Sequence, residues 1–377
     1  MGGLRPLFET LGRDHGVVVN AGALTPKERF LKVLAHGAVD RLPLVIRDVH
    51  LPGPPADEQL LEHGVCVIVK STIWRVSYSD RVEVRERLRV DTHGRWVRER
   101  VFRTPLGPIS LVERVLPGTV WVEKFPFESE KDYPALEYVI ANRIYEPDFD
   151  AFLADDVRFG DKSIARPETV RAPLHELMYQ RMGLEAFAVE WSERRGQVLR
   201  LLEVLACDWR RRVELIASSP ARFAVVDANT EFRVVGEERY RQYHMPFIEE
   251  ACRLLQREGI LVGAHLDGNN RGLAPLVAET SLDFIESFTP PPECDLSIRE
   301  ARSWWPEKSL VVHFPSSAHL GGPTRVVEVA REILRDAAPG YGIAIGISED
   351  VPDRGRSTIL PLFRYLAENC QLPLPTD

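Results

Sequence analysis

Five stretches decide the fold of this chain: Arg222-Phe223-Ala224-Val225-Val226-Asp227, Ile260-Leu261-Val262-Gly263-Ala264-His265, Leu282-Asp283-Phe284-Ile285-Glu286-Ser287-Phe288, Ser309-Leu310-Val311-Val312-His313-Phe314 and Tyr341-Gly342-Ile343-Ala344-Ile345-Gly346-Ile347-Ser348. Each is short, β-branched or aromatic, and almost fully apolar, which is how a parallel strand buried on both faces reads. Helical patterns fill the gaps over 194–217, 237–258, 272–280, 298–304 and 323–336, and 357–369 follows the last strand. In the first of these Val198, Leu202, Leu205, Trp209, Val213 and Ile216 fall on one stripe. Working outward, apolar runs near 42–46, 64–69 and 162–167 raise the strand number to about eight. Strands and helices alternating in that number predict an α/β fold, a (β/α)8 TIM barrel. A doubly wound sheet is the alternative, but no GxGxxG follows a strand.

The amino-terminal part adds two features. Thr25 can cap a helix beginning at Pro26, with Glu28 completing a capping box and Gly37 ending the helix. Residues 1–24 are an extension ahead of a single barrel domain over 25–377. Between about 76 and 125 the rhythm changes to period two: Val82/Val84, Leu88/Val90 and Val97/Val101 alternate with charged residues. Turn signals at Thr92-His93-Gly94 and Pro105-Leu106-Gly107-Pro108 complete an antiparallel meander inserted into the barrel. Eight arginines between Arg81 and Arg103 are interleaved with Glu83, Glu86, Asp91 and Glu99. Such a run reads as a solvated sheet face with paired charges.

Composition narrows the function classes. The 377 residues are 44% apolar and 28% charged, a globular balance. No apolar run approaches the roughly 20 residues that span a bilayer. Arg5, Glu9, Arg13 and Asp14 interrupt any signal-peptide core, and Pro6 stands where a myristoylation motif needs Ser or Thr. A net charge of −8 argues against nucleic acid as a partner. Five scattered cysteines without a CxxC pair argue for a reducing compartment, and against a disulfide frame or a thiolate zinc site. The expectation is a cytoplasmic protein acting on a small molecule, with no membrane partner.

A barrel places its active site at the carboxyl ends of its strands. Those ends carry Asp227 with Asn229, His265 with Asp267, then Glu286, His313 and Glu349. Residues i and i+2 of an extended strand point the same way, so His265 and Asp267 can reach one target. With Glu349 or Glu286 from another strand they form a candidate divalent-metal site. Its nitrogen and oxygen donors would accept zinc, iron, cobalt or manganese. Asp267 could instead orient His265 or cap the following turn. Asp227 and Asn229 are acid–base or hydrogen-bonding candidates, or else an Asx-stabilised turn. Glu286 stands among apolar residues and needs a metal, an arginine or a hydroxyl beside it. His313 reads as a barrel histidine able to contact substrate, and His244 as a surface or packing residue. Trp74, Trp121 and Trp191 are candidates for a pocket wall or for the core.

Several motifs together resemble the uroporphyrinogen decarboxylase superfamily. Thr25-Pro26-Lys27-Glu28-Arg29-Phe30 and Val39-Asp40-Arg41-Leu42-Pro43 look like its amino-terminal signature. Thr104-Pro105-Leu106-Gly107 and Phe127-Glu128-Ser129-Glu130-Lys131-Asp132-Tyr133 resemble the branch that includes corrinoid-dependent methyltransferases. His265 to Gly268, Asp283 to Pro292 and Gly346 to Pro352 extend the likeness through the carboxyl half. The resemblance implies a TIM-type barrel and one of two chemistries. True decarboxylases grip substrate carboxylates with an arginine-rich early loop, where only Arg47 stands here beside Asp48. The methyltransferases hold zinc through His-x-Cys and a later Cys. This chain keeps His265 but has Asp267 and Ser348-Glu349 in place of the thiolates. That change favours a harder site and an oxygen or amine substrate.

The leading expectation is therefore a metal-dependent methyltransferase, with zinc at His265, Asp267 and Glu349. It would move a methyl group between a small ether or amine and a separate corrinoid protein. The alternatives are a carboxy-lyase with Asp227 as proton handler and Arg47 as carboxylate anchor, and a non-catalytic module binding through the arginine-rich meander.

Overall fold

The computed structural model describes residues 24–116 and 119–376. The amino-terminal extension, Leu24 apart, lies outside the described residues. Strands β1 (Leu44–Arg47) and β2 (Val65–Ser71) start a parallel sheet, and β3 (Trp74–Tyr78) leaves it. The meander is β4 (Glu83–Val90), β5 (Trp96–Thr104), β6 (Gly107–Leu116) and β7 (Thr119–Lys124), paired in that order. β8 (Arg143–Pro147) returns to pair antiparallel with β3, Tyr78 lying opposite Arg143. Val76 thus belongs to this ribbon, and the sheet proper begins at Glu83. β9 (Ser163–Pro167), β10 (Phe223–Ala228), β11 (Leu261–His265), β12 (Phe284–Phe288), β13 (Ser309–His313) and β14 (Ile343–Ile347) complete the parallel set.

The eight parallel strands run β10-β11-β12-β13-β14-β1-β2-β9, with helices between them. This is a nearly closed TIM barrel. At the β9/β10 seam the ladder gives way to a loop contact, Val170 N–H donating to the Val225 carbonyl at 3.2 Å. Below the seam Arg222 bonds both carboxylate oxygens of Asp156, which also accepts from Ala165 N–H and Lys27.

Side chains of every second strand residue fill the barrel. Val45, Cys66, Ile68, Ile164, Phe223, Val225, Phe284, Val311 and Ala344 form one buried cluster. Helix Pro26–Leu34 closes its lower end with Phe30, Val33 and Leu34, and the capping box at Thr25 and Glu28 is formed. A Cβ at Gly263 would lie 2.3 Å from the Phe284 ring, so the missing side chain makes room for the phenyl. Likewise Gly346 lets the Val45 carbonyl approach.

The helical stretch expected over 237–258 is two helices, Glu237–Tyr243 and Met245–Arg257. Pro246 in the first turn of the second cannot continue a helix from the first. His244 stands at the break and is buried, the packing role of the two expected for it. Beside the barrel, Glu176 and Asp208 are buried among Arg143, Arg181 and Arg212, tying the ribbon to helix Arg195–Ala217. Trp74 is buried and Trp191 packs against the core, whereas Trp121 is exposed. No helix among the described residues is long and apolar enough to cross a membrane.

Candidate metal centre at the barrel mouth

One step above the apolar cluster, the same two-residue alternation brings up polar side chains. Arg47 stands above Val45, Lys70 above Ile68, Arg166 above Ile164, and Asp227 above Val225. His265, Glu286 and His313 follow above Gly263, Phe284 and Val311. The mouth thus has a cationic half on β1, β2 and β9, facing a carboxylate and histidine half on β10–β14.

His265 is the hub of the acidic half. Its Nδ1 lies 3.0 Å from Glu286 Oε2, while its Nε2 lies 3.0 Å from Glu349 Oε1 and 3.7 Å from Asp267 Oδ2. His265, Asp267 and Glu349 each offer a ligand atom within 4.8 Å of the others. Burial alone would lower the His265 pKa, but bonds to Asp267, Glu286 and Glu349 hold it well above its ordinary value. Burial opposes the charge on Glu286, yet Arg166 and His265 bring its pKa down to about 2. The Asp267 carboxyl is likewise lowered against its burial, chiefly by His265.

The donor set fits a hard divalent cation. With the His265 imidazole giving up its proton to ligate, three carboxylates and Arg166 leave a deficit of two positive charges, which such a cation would fill. Glu286 on the far ring nitrogen is the partner that fixes the tautomer of a ligating histidine. Asp267 and Glu349 keep 26% and 30% of their side-chain surface, leaving the site open to a small molecule.

Chain elements distant in sequence hold Glu349 in place. The preceding Ser348 donates its N–H to His313 Nδ1 at 3.3 Å, and its carbonyl accepts from Arg47 Nη1 at 2.9 Å. Ser287 Oγ reaches both Ser348 Oγ at 2.6 Å and Glu349 Oε1 at 3.0 Å. Ser287 adopts φ 58°, a costly conformation for a side chain of its kind, and β12 is bulged there. The other nitrogen of His313 contacts Ser316 Oγ at 3.2 Å, and burial pushes its pKa down to about 3. His313 and Arg47 therefore act on the loop that carries Glu349.

The solved structures add an independent finding. The chain is similar to a methyltransferase from Methanosarcina mazei. The TM-score is 0.56 at 13% identity, with 92% of this chain and 99% of that chain covered. At such identity the likeness shows the barrel fold and nothing finer. A B12-independent methionine synthase from Shewanella sp. W3-18-1 aligns with a TM-score of 0.43 at 9% identity, over 82% of this chain and 84% of that one. That similarity carries no argument. No protein-family model and no curated protein matches the sequence.

Asn229 and Asp227 occupy different layers. Asn229 Nδ2 donates to Asp267 Oδ2 at 2.8 Å, and its N–H donates to the His265 carbonyl at 3.0 Å, so it steadies the candidate ligands. Asp227 is wholly buried behind them. One of its oxygens accepts from Thr230 Oγ1 at 2.9 Å and lies 3.5 Å from His244 Nδ1, while the other has no hydrogen-bond partner. Burial would raise its pKa, and the bond to His244 keeps it low.

Sequence reading missed Lys70, Arg166, Arg171 and His175 at this mouth. Arg166 and Lys70 were within reach, because each stands two residues beyond an inward apolar side chain of its strand. Arg171 and His175 lie in the β9–β10 connection, where no periodicity marks them. Arg47, the one arginine of the early loop, is thus joined at the mouth by Lys70 and Arg166.

Proposed function

We propose that this protein is a metal-dependent methyltransferase, moving a methyl group between a small ether or amine and a corrinoid protein in the cytoplasm. The observation that carries the reading is the convergence of His265, Asp267 and Glu349 on one point, with Glu286 on the other ring nitrogen. These three residues would hold a divalent cation, zinc in the first instance. Such an ion acts as a Lewis acid on the substrate heteroatom and eases its departure from the methyl carbon.

The chain's own residues would do the rest. Glu286 keeps the proton on Nδ1 of His265, so that Nε2 faces the mouth as a donor atom. Asn229 orients Asp267, and Ser287 orients Glu349. Asp227, kept low in pKa with His244 beside it, is placed to accept a proton in a buried layer under the site.

Metal analysis of the purified protein tests the reading. A near-stoichiometric divalent ion, lost in His265→Ala and Glu349→Ala, supports it. A metal-free protein that takes up no zinc on titration sinks it.

The cationic half of the mouth favours a second reading, a carboxy-lyase acting on a small carboxylic acid. Arg47 and Lys70 have no carboxylate partner among the described residues and could anchor a substrate carboxylate. That reading requires CO2 release that Arg47→Ala abolishes; release at the wild-type rate in the variant would refute it.

A further inference from the structure

The meander does more than decorate the barrel. Its inner face and the β9–β10 connection enclose a cleft of about 490 Å³ beside the mouth. Leu111 and Val122 line it from the sheet, and Arg171, His175, Tyr179 and Asn229 from the barrel side. Two other arginines on its wall are already neutralised, Arg100 by Glu86 and Glu113, and Arg181 by Glu176. Burial pushes the pKa of His175 down to about 4, so this imidazole brings no charge at neutral pH.

Arg171 differs from its neighbours. Its guanidinium makes one long hydrogen bond, 3.4 Å to Asn229 Oδ1, and forms no ion pair among the described residues. A half-buried guanidinium with no carboxylate in contact keeps free donors, and its planar fork matches a carboxylate through two parallel bonds. The same Asn229 that touches Arg171 donates to Asp267 at the candidate metal centre. Asn229 therefore stands in the wall of the cleft and touches the candidate centre.

We propose that this cleft binds an organic carboxylate, with the carboxylate on Arg171 and an apolar body between Leu111, Val122 and Tyr179. It rests on the metal-site reading only in placing the ligand's far end at His265, Asp267 and Glu349. The inserted sheet is then the wall that selects substrates by length and charge.

The test uses the full-length protein freed of metal and titrated calorimetrically with 4-methoxybenzoate and with neutral 4-methoxybenzyl alcohol. The carboxylate should bind saturably at one site, and the alcohol at least roughly tenfold more weakly. Arg171→Gln should weaken the carboxylate by a similar factor and leave the alcohol unchanged. Val122→Trp should block both while leaving the melting temperature near wild type. Equal affinity of the two probes, no binding of the carboxylate at millimolar concentration, or wild-type affinity in Arg171→Gln would each overturn the proposal. Zinc uptake is measured separately. Carboxylate binding without zinc uptake would sink the metal reading alone, and zinc uptake without carboxylate binding would sink this one alone.

Discussion

Glu286 Oε2 lies 3.0 Å from Nδ1 of His265, and the two stand at opposed registered positions on adjacent strands β12 and β11. This contact makes the histidine more than a filler of the barrel. It spends one ring nitrogen inside the protein and turns the other toward Asp267 and Glu349. Arg166 approaches the other oxygen of Glu286 at 3.4 Å, which compensates a carboxylate that burial would otherwise neutralise.

Replacing that carboxylate by an amide therefore tests the metal centre without touching a candidate ligand. Glu286→Gln should lower zinc affinity by about 10–100-fold in a competition titration with a chromophoric chelator. An unchanged affinity would show that His265 needs no orienting partner.

Ser287 separates strain from function. Its φ of 58° suits glycine, while its hydroxyl bonds Ser348 and Glu349. Ser287→Gly and Ser287→Ala both lose the hydroxyl, so both should bind metal more weakly than wild type. The glycine variant should be more stable than the alanine variant by about 1 kcal/mol in urea unfolding, because only alanine retains the strain. Equal stabilities would count against a strained Ser287.

Gly263 tests the barrel packing. Gly263→Ala should cost about 1–3 kcal/mol through the clash with Phe284. Adding Phe284→Leu should recover part of that loss, giving a non-additive double-mutant cycle. Strict additivity of the two substitutions would argue that the side chains do not meet.

The buried cluster around Glu176 governs acid stability. Burial alone would raise the Glu176 pKa, but Arg212, Arg181 and Arg143 hold it well below 4.5. A depressed folded pKa gives stability that is complete above about pH 4.5 and fades as pH falls through the folded value. Glu176→Gln lacks this contribution at every pH, leaves Arg181 with no ion pair among the described residues, and leaves Arg143 and Arg212 on Asp208. It should cost about 3–5 kcal/mol near neutrality, and its stability curve should approach that of wild type as the pH falls. A constant difference down to pH 3 would disprove the assignment.

The barrel was legible because parallel strands buried on both faces leave unmistakable apolar runs. All eight expected runs are barrel strands, the expected helix over 298–304 is found at those residues, and the Thr25–Glu28 capping box is formed. The limits of the reading are equally physical. The continuous helix expected over 237–258 failed because the apolar stripe runs on through a proline that the backbone cannot accommodate. β8 went unseen because Arg143-Ile144-Tyr145-Glu146-Pro147 is short and borrows its partner, β3, from far back in the chain.

At the site, the sequence by itself determined which side chains stand at the strand ends, since the side-chain period of two admits only one inward set. His265, Asp267 and Glu286 follow that period, whereas Glu349 stands one residue out of it in the loop after β14. Only the tertiary structure decided how they divide their roles, because that depends on which strands are neighbours. Adjacency of β11 and β12 gives Glu286 to the far nitrogen of His265, and the loop after β14 brings Glu349 to the near one. Closure of the ring also set Arg47 against Ser348, 301 residues away, and hung the meander over Arg171. Charge pairing and enclosure act over a few ångströms in space, and no local pattern in the chain records distances of that kind.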